Sequence, residues 1–110
     1  MIVSVKRNNS MLLTIVVLSY NRPSQIKRIL ENLVGVASED IKLIIKDDLS
    51  PRRSEIVDIV GNFKPLLRFD LELHLNKVNL GYDLNLLDAF DISSSEYVFL
   101  LSDDENHRCQ

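Results

Sequence analysis

Three groups of polar residues in this sequence each lie at the end of a mainly apolar stretch. The groups are Ser19-Tyr20-Asn21, Asp47-Asp48 and Ser102-Asp103-Asp104-Glu105. Two of them contain adjacent carboxylates, which repel one another unless solvent or a cation neutralises their charge. Such groups are candidates for holding a charged ligand, because charged side chains are seldom part of a core unless they are paired.

The acidic group after the last apolar stretch is a candidate metal site. Hard divalent cations take oxygen ligands, and Mg²⁺ commonly binds one or two carboxylates together with the phosphates of a substrate. Asp103 and Asp104 would by themselves repel a phosphate, and a bound cation would turn that repulsion into attraction. A solvated acidic turn is the alternative interpretation of the same residues.

The pair Asp47-Asp48 is a candidate for ligand recognition. A carboxylate offers only hydrogen-bond acceptors, so it suits an N–H or a hydroxyl of a ligand. The residues that follow, Leu-Ser-Pro, also make this pair a plausible turn and helix cap.

The loop at 76–85 supplies a third set of polar groups. Gly81 permits positive φ or the close approach of a ligand, and Asn79 can brace the loop. Asn85 lies near the start of a predicted helix, at the positive end of the helix dipole, where its amide could help hold a ligand. An ordinary strand-to-helix turn is the simpler interpretation of this segment.

The elements that would position these groups can be predicted from the apolar pattern. Continuous apolar runs predict strands at 12–18, 41–45 and 97–101, and strict alternation predicts an edge strand with one solvated face at 67–75. Helical spacing predicts three helices, with stripes at Ile26, Ile29, Leu30, Leu33 and Val34, at Ile56, Ile59, Val60 and Phe63, and at Leu84, Leu86, Leu87, Ala89 and Phe90.

The alternation of strands and helices predicts an α/β fold. We expect a Rossmann-like, mainly parallel sheet of about four strands with helices on both faces. In such a sheet all the strands point the same way, so the three polar groups would meet at the carboxyl edge, where open α/β sheets bind their ligands.

Length and composition exclude several classes of protein. The chain is long enough for one domain, and its net charge of -3 argues against nucleic-acid binding, which normally needs a basic patch. A single cysteine excludes an internal disulfide framework. The first ten residues place Lys6 and Arg7 after the apolar stretch, which is the wrong order for a signal peptide. We therefore expect a cytoplasmic protein.

Four stretches together carry a resemblance to a known family. LTIVVLSYNRPSQIKRILENL, LIIKDDLSP, NKVNLGYDLNLLDAF and SEYVFLLSDDE occur in that order, and in combination they resemble the inverting glycosyltransferases of family 2, which have the GT-A fold. The similarity runs from about Leu12 to Glu105. By this resemblance the predicted sheet would be a partial GT-A fold.

The resemblance implies how a nucleotide-sugar would be held. The end of the first strand, Ser19-Tyr20-Asn21, would cup the nucleoside. Asp48, with Asp47 beside it, would accept a hydrogen bond from the base.

The remaining matches concern the donor phosphates and a metal. Asn79-Leu80-Gly81 matches the Asn-x-Gly turn of the family, and Asn85 matches a polar helix position, although the arginine often found near it is missing. Asp104 would bind Mg²⁺ or Mn²⁺ directly, and Asp103, also a metal-ligand candidate, would face the sugar or ribose.

The implied reaction is transfer of a sugar from a nucleotide-sugar to a hydroxyl of a saccharide or lipid-linked acceptor. The family's common setting is bacterial surface polysaccharide or lipopolysaccharide synthesis at the inner face of the membrane. Its general base lies downstream of the metal motif, where only residues 106–110 remain. We therefore expect 1–110 to be a single nucleotide-sugar-binding domain, the N-terminal half of a glycosyltransferase truncated after the Asp-Asp motif, with little or no activity alone.

Two alternatives belong to other functional classes. A receiver-type signalling module shares the α/β alternation and an acidic pocket, although it predicts paired acids after the first strand, where this chain has Ser-Tyr-Asn. An inactive assembly fragment is the other alternative, because an unpaired sheet edge invites formation of a homo-oligomer.

Overall fold

The computed structural model describes residues 2–4, 13–92 and 97–102, with side chains described at 13–36, 41–92 and 97–101. These residues form one mixed sheet flanked by helices. In chain order the elements are β1 (Ile2–Ser4), β2 (Leu13–Ser19), α1 (Pro23–Leu33), β3 (Ala37–Asp47), α2 (Arg53–Phe63), a 3₁₀ helix (Lys64–Leu66), β4 (Arg68–Leu75), α3 (Tyr82–Ile92) and β5 (Tyr97–Ser102).

The sheet has the order β1-β5-β2-β3-β4. The pairs β5–β2, β2–β3 and β3–β4 are parallel, which confirms the predicted α/β fold with a mainly parallel sheet. β4 lies at one edge, as its alternating pattern predicts. β1 pairs antiparallel with β5 at the other edge, and the sequence analysis missed it because three residues carry no periodic signal.

β3 is longer than predicted. It runs from Ala37 to Asp47, whereas only the apolar run at 41–45 was expected to be a strand. The pairing with β4 shifts register between Ala37 and Lys42, so the added N-terminal part is an irregular extension of the ladder.

The larger part of the core lies between one face of the sheet and the helices α1 and α2. Pro23 opens α1, where its missing N–H would be unpaired in any case. The apolar stripes of both helices pack on inward residues of the three central strands and β4. The buried members are Val17, Ile26, Ile29, Leu30, Leu43, Ile45, Ile56, Val60 and Leu71.

Of the described helices, α3 is the one on the opposite face, and its orientation corrects the predicted stripe. Leu84 and Leu87 are exposed, at 57% and 58% of their surface, whereas Asn85 and Ala89 are buried. The apolar cluster on this face is small: Val16, Leu18, Ala89 and Val98, with Leu86, Phe90 and Leu100 partly buried against it. The helix is rotated relative to the prediction because its sheet-facing side carries a polar residue, Asn85, that hydrogen-bonds over β3.

An ion-pair group on the α3 side of β3 and β4 predicts a pH effect on stability. Glu72 contacts Lys42 Nζ at 2.7 Å and His74 Nε2 at 2.8 Å. Burial alone would raise the pKa of Glu72, but the hydrogen bonds and charges of Lys42 and His74 outweigh it and hold the pKa below its ordinary value.

We expect Glu72→Gln to lower the free energy of unfolding at pH 7 by less than about 1 kcal/mol, since Glu72 is substantially exposed. A carboxyl whose pKa is lowered by folding stabilises the fold at pH values above its pKa in the unfolded chain. That stabilisation is lost as the pH falls through its pKa in the folded protein. The difference between wild type and variant should therefore disappear well below the ordinary glutamate value of 4.5. Urea denaturation across this pH range measures it, and a difference that grows towards acid would contradict the prediction.

Candidate functional site

The carboxyl ends of β2, β3 and β4 lie side by side. Ser19 is in register with Asp47, and Asp47 with Leu75. Two backbone hydrogen bonds extend the pairing beyond the strands, from Asp48 N to Ser19 O at 2.9 Å and from Asn76 N to Asp47 O at 2.8 Å. The predicted convergence of polar groups at one edge is therefore present for these strands.

β5 ends at the same edge, with Ser102 in register with Leu18 of β2. The predicted metal ligands Asp103 and Asp104, and the neighbouring Glu105, follow next in the sequence and lie outside the described residues. Among the residues that the structure describes, no group of three His, Cys, Asp or Glu side chains is arranged to hold a metal ion.

Asp47 is buried and holds the turn that follows β3. Its Oδ1 accepts hydrogen bonds from the hydroxyls of Ser19 and Ser50, and its Oδ2 accepts from the backbone N–H of Ser50 at 2.9 Å. Leu49 in this turn has φ +60°, which a leucine rarely adopts. The carboxylate thus stabilises a strained turn and joins it to the end of β2.

Asp48 is also buried, and its carboxylate holds the loop before α3. Oδ1 accepts from Leu80 N at 2.6 Å and from Asn76 Nδ2 at 3.0 Å, and Oδ2 accepts from Gly81 N at 2.8 Å. Three donors thus occupy a group that has about four acceptor positions. The Asp48 carboxylate therefore joins the loop to the end of β3.

Asn79 and Gly81, both predicted site residues, lie in the loop that Asp48 holds. Asn79 is exposed, and its Nδ2 donates to the backbone carbonyl of Asp48 at 3.1 Å. Gly81 has φ +82°, which favours glycine, and its carbonyl accepts from Asn85 N at 2.9 Å as α3 begins. The side chain of Asn85 is buried and faces the sheet, where it bonds Asn76 and the carbonyl of Lys46.

Two residues that the sequence analysis did not single out complete this arrangement. Lys46 is almost wholly buried, and its ammonium group contacts Asp88 Oδ2 at 2.7 Å and donates a hydrogen bond to Asn76 Oδ1. Asn76 in turn donates to both Asp48 and Asn85. The sequence did contain a signal for Lys46, because this lysine directly follows the apolar run of a predicted buried strand, Ile44-Ile45. A buried lysine requires partners for its charge.

The end of β2 carries the predicted nucleoside-binding residues Ser19, Tyr20 and Asn21. Ser19 is buried and bonded to Asp47, whereas the ring of Tyr20 is half-exposed. Asn21 has φ +54°, and its backbone N–H donates to the Ser50 hydroxyl. Its Oδ1 is buried and accepts no hydrogen bond from the described part of the chain. An unpaired buried acceptor is uncommon in folded proteins, and a ligand or an ordered water is one way to satisfy it.

Comparison of the sequence with models of protein families identifies the family of this chain. The model of glycosyl transferase family 2 matches residues 14–108, which is most of the chain. The chain belongs to glycosyl transferase family 2. A comparison with curated proteins found no match.

Solved structures share the fold of this family 2 chain. The mannosyltransferase PcManGT from Pyrobaculum calidifontis, in complex with GDP-Man and Mn²⁺, is 19% identical with a TM-score of 0.70, and the match covers 88% of this chain and 28% of that one. TarS 1-349 from S. aureus is 19% identical with a TM-score of 0.66, covering 86% and 28%. A TarS complex with UDP-GlcNAc gives a TM-score of 0.63.

These neighbours are much longer than the present chain, which spans less than a third of their length. No helix in the described ranges 13–92 is long and apolar enough to cross a membrane.

Proposed function

We propose that this chain forms the donor-binding portion of a glycosyltransferase, one that transfers a sugar from a nucleotide-sugar to an acceptor hydroxyl. One observation carries the proposal: polar groups from β2, β3 and the loop before α3 meet at a single sheet edge, and the Asn21 acceptor there has no protein partner among the described residues. Family membership and neighbours bound to GDP-Man and UDP-GlcNAc support it.

The nucleoside would lie against the end of β2. Tyr20 has a half-exposed aromatic ring, and the buried Asn21 oxygen accepts no hydrogen bond from the described residues, so on rotation of its side chain it would suit an N–H of a base. Ser19 and Asp47 would fix the backbone beneath these two residues through their mutual hydrogen bond. Asp48 would act mainly by holding the loop, since at most about one acceptor position of its carboxylate remains for a ligand.

The donor phosphates would lie between that loop and the residues after β5. Asn79, Gly81 and Asn85 define the loop and the start of α3, where the positive helix end favours negative charge. Asp104, with Asp103 beside it, would bind Mg²⁺ or Mn²⁺, and a neighbour in complex with Mn²⁺ is consistent with such an ion. When bound, the metal would neutralise the charge that develops on the departing nucleotide.

The remaining expectations concern the reaction as a whole. The acceptor would be a saccharide or a lipid-linked acceptor in bacterial surface polysaccharide or lipopolysaccharide synthesis, at the inner face of the cytoplasmic membrane. A general base within reach of the acceptor hydroxyl is required for inversion, and we expect it from a segment beyond the residues described above. Self-association through the edge strand β4 is a further expectation, testable by light scattering.

Titration calorimetry with GDP- and UDP-sugars, with and without Mn²⁺, tests the proposal directly. We expect binding that Mn²⁺ strengthens, and we expect Asn21→Ala to weaken it about tenfold by removing a buried hydrogen-bond acceptor. Asn62→Ala is the matched control, because Asn62 is exposed near the end of α2, remote from the three strand ends. Folded wild-type protein that releases no heat with any nucleotide-sugar would overturn the proposed function.

A further inference from the structure

We infer that Lys46 is a positioning residue of the donor site: acting through Asn76, it sets the orientation of the Asp48 carboxylate and hence of the loop Asn79–Gly81. This inference rests on the proposed function for its meaning, but its structural part can be tested without any ligand. Nothing in the family resemblance assigns a role to Lys46, Asn76 or Asp88.

Because Lys46 is buried, its charge must be paired and hydrogen-bonded within the protein. Only 2% of the Lys46 surface is exposed, and a buried charge is tolerated only when it is paired and hydrogen-bonded. Asp88 supplies the opposite charge at 2.7 Å from α3, and the Asn76 oxygen supplies a hydrogen-bond acceptor from the end of β4. Lys46 therefore joins β3 to both α3 and the segment leading into the loop.

The chemistry of the groups fixes the orientation of each amide. A lysine ammonium has only donors, so the Asn76 side chain must turn its oxygen towards Lys46. Its nitrogen then faces Asp48 Oδ1 at 3.0 Å and Asn85 Oδ1 at 2.8 Å, which are both acceptors. The orientation of Asn85 follows, because its own nitrogen is left to face the carbonyl of Lys46 at 3.4 Å.

Removal of the ammonium group would leave the orientations of these amides no longer fixed. Without a donor at Lys46, the Asn76 oxygen would be buried and unpaired, and the amide could turn. A turned amide would place its oxygen against the Asp48 carboxylate, which repels it. Asp48 would then hold the Leu80 and Gly81 amides less firmly, because the same carboxylate accepts from all three groups.

A purely structural ion pair between β3 and α3 would give a different result. It would stabilise the whole domain without a particular effect on the loop. Amide hydrogen exchange separates the two roles, because the Leu80 and Gly81 amides report on the bond to Asp48, whereas amides of the central strands β2 and β3 report on global opening.

The experiment compares Lys46→Met with Lys42→Met in the 110-residue chain. Both lysines lie on β3 and each pairs with a carboxylate at 2.7 Å, but Lys42 contacts Glu72, outside this network. We expect Lys46→Met to speed exchange at Leu80 and Gly81 at least about tenfold more than at the strand amides, equivalent to about 1.4 kcal/mol. Lys42→Met should leave the ratio of loop to strand exchange unchanged. Equal acceleration at loop and strand amides in Lys46→Met would overturn the inference.

Asp88→Asn provides a second variant in case Lys46→Met does not fold. It alters the half-exposed partner and leaves the buried lysine in place, so we expect a smaller change of the same kind at Leu80 and Gly81. If Lys46→Met is unfolded and Asp88→Asn leaves loop exchange unchanged, the inference is wrong.

Nucleotide binding then distinguishes this inference from the proposed function. If wild type binds a nucleotide-sugar, Lys46→Met should weaken binding about tenfold, and the control Lys42→Met should not. If wild type binds none while Lys46→Met still loosens the loop, the proposed function fails and the positioning of the loop stands. If binding is unaffected in a variant whose loop is looser, the role of Lys46 in the donor site is refuted.

Discussion

Asp48→Asn is expected to lower the free energy of unfolding by about 2–3 kcal/mol, whereas the same isosteric change at the neighbouring Asp47 should lower it by about 1 kcal/mol or less. Both side chains are buried, and each accepts three hydrogen bonds. The expected difference comes from the chemistry of the donors around each carboxylate.

The donors around Asp48 are all N–H groups, which cannot act as acceptors. Leu80 N and the Asn76 amide meet one oxygen, and Gly81 N meets the other. An asparagine at this position would turn its own NH₂ group towards at least one of them in either orientation. That contact would leave buried donors unpaired and release the loop before α3.

The donors around Asp47 are more adaptable. Only Ser50 N is a fixed donor, and it meets Oδ2, while Oδ1 meets the hydroxyls of Ser19 and Ser50. A hydroxyl can rotate and accept instead of donating. An asparagine could therefore keep its oxygen towards Ser50 N and turn its NH₂ group towards the two hydroxyls.

Urea denaturation of the two variants measures the difference. Asp58→Asn is the control for loss of a negative charge, because Asp58 is exposed on α2. We expect it to change stability by less than about 0.5 kcal/mol. Equal losses at positions 47 and 48 would show that the two carboxylates are held by charge alone and that donor chemistry does not matter.

The arrangement of the strands could be predicted because its signal is local. The apolar runs at 12–18 and 97–101 and the alternation at 67–75 each lie within one segment of sequence, and their order implies a parallel sheet with a shared carboxyl edge. The family resemblance, confirmed by the match at residues 14–108, depended on the same segments. β1 was missed because three residues that pair with the far end of the chain have no such local pattern.

The partners of the polar side chains could not be predicted in the same way. Asp47 and Asp48 were expected to face a ligand, and that role stays a prediction, while the structure shows that both carboxylates also hold loops. Lys46 and Asp88 lie far apart in sequence, and only the packing of α3 on β3 brings them together. The stripe on α3 was misjudged for a related reason, because Asn85 faces the sheet where Leu84 and Leu87 were expected to.

Leu30→Ala is expected to lower the free energy of unfolding by about 2–5 kcal/mol, because it leaves a cavity in the main core. Leu30 has no exposed surface and packs within the cluster between α1, α2 and the sheet. Leu87→Ala is the matched control: it makes the same change on α3, a helix of equal length, where Leu87 is largely exposed. We expect that control to change stability by less than about 0.5 kcal/mol.

Urea denaturation of the two leucine variants tests how unequally the two faces of the sheet contribute to stability. The main cluster joins two helices to the sheet, whereas α3 buries only Ala89 fully among its apolar side chains. Stability should therefore depend on α1 and α2, and α3 should act chiefly by carrying Asn85 and Asp88 to the end of β3. A loss for Leu87→Ala as large as for Leu30→Ala would mean that the outer face of α3 is packed in solution and that its leucines belong to a second core.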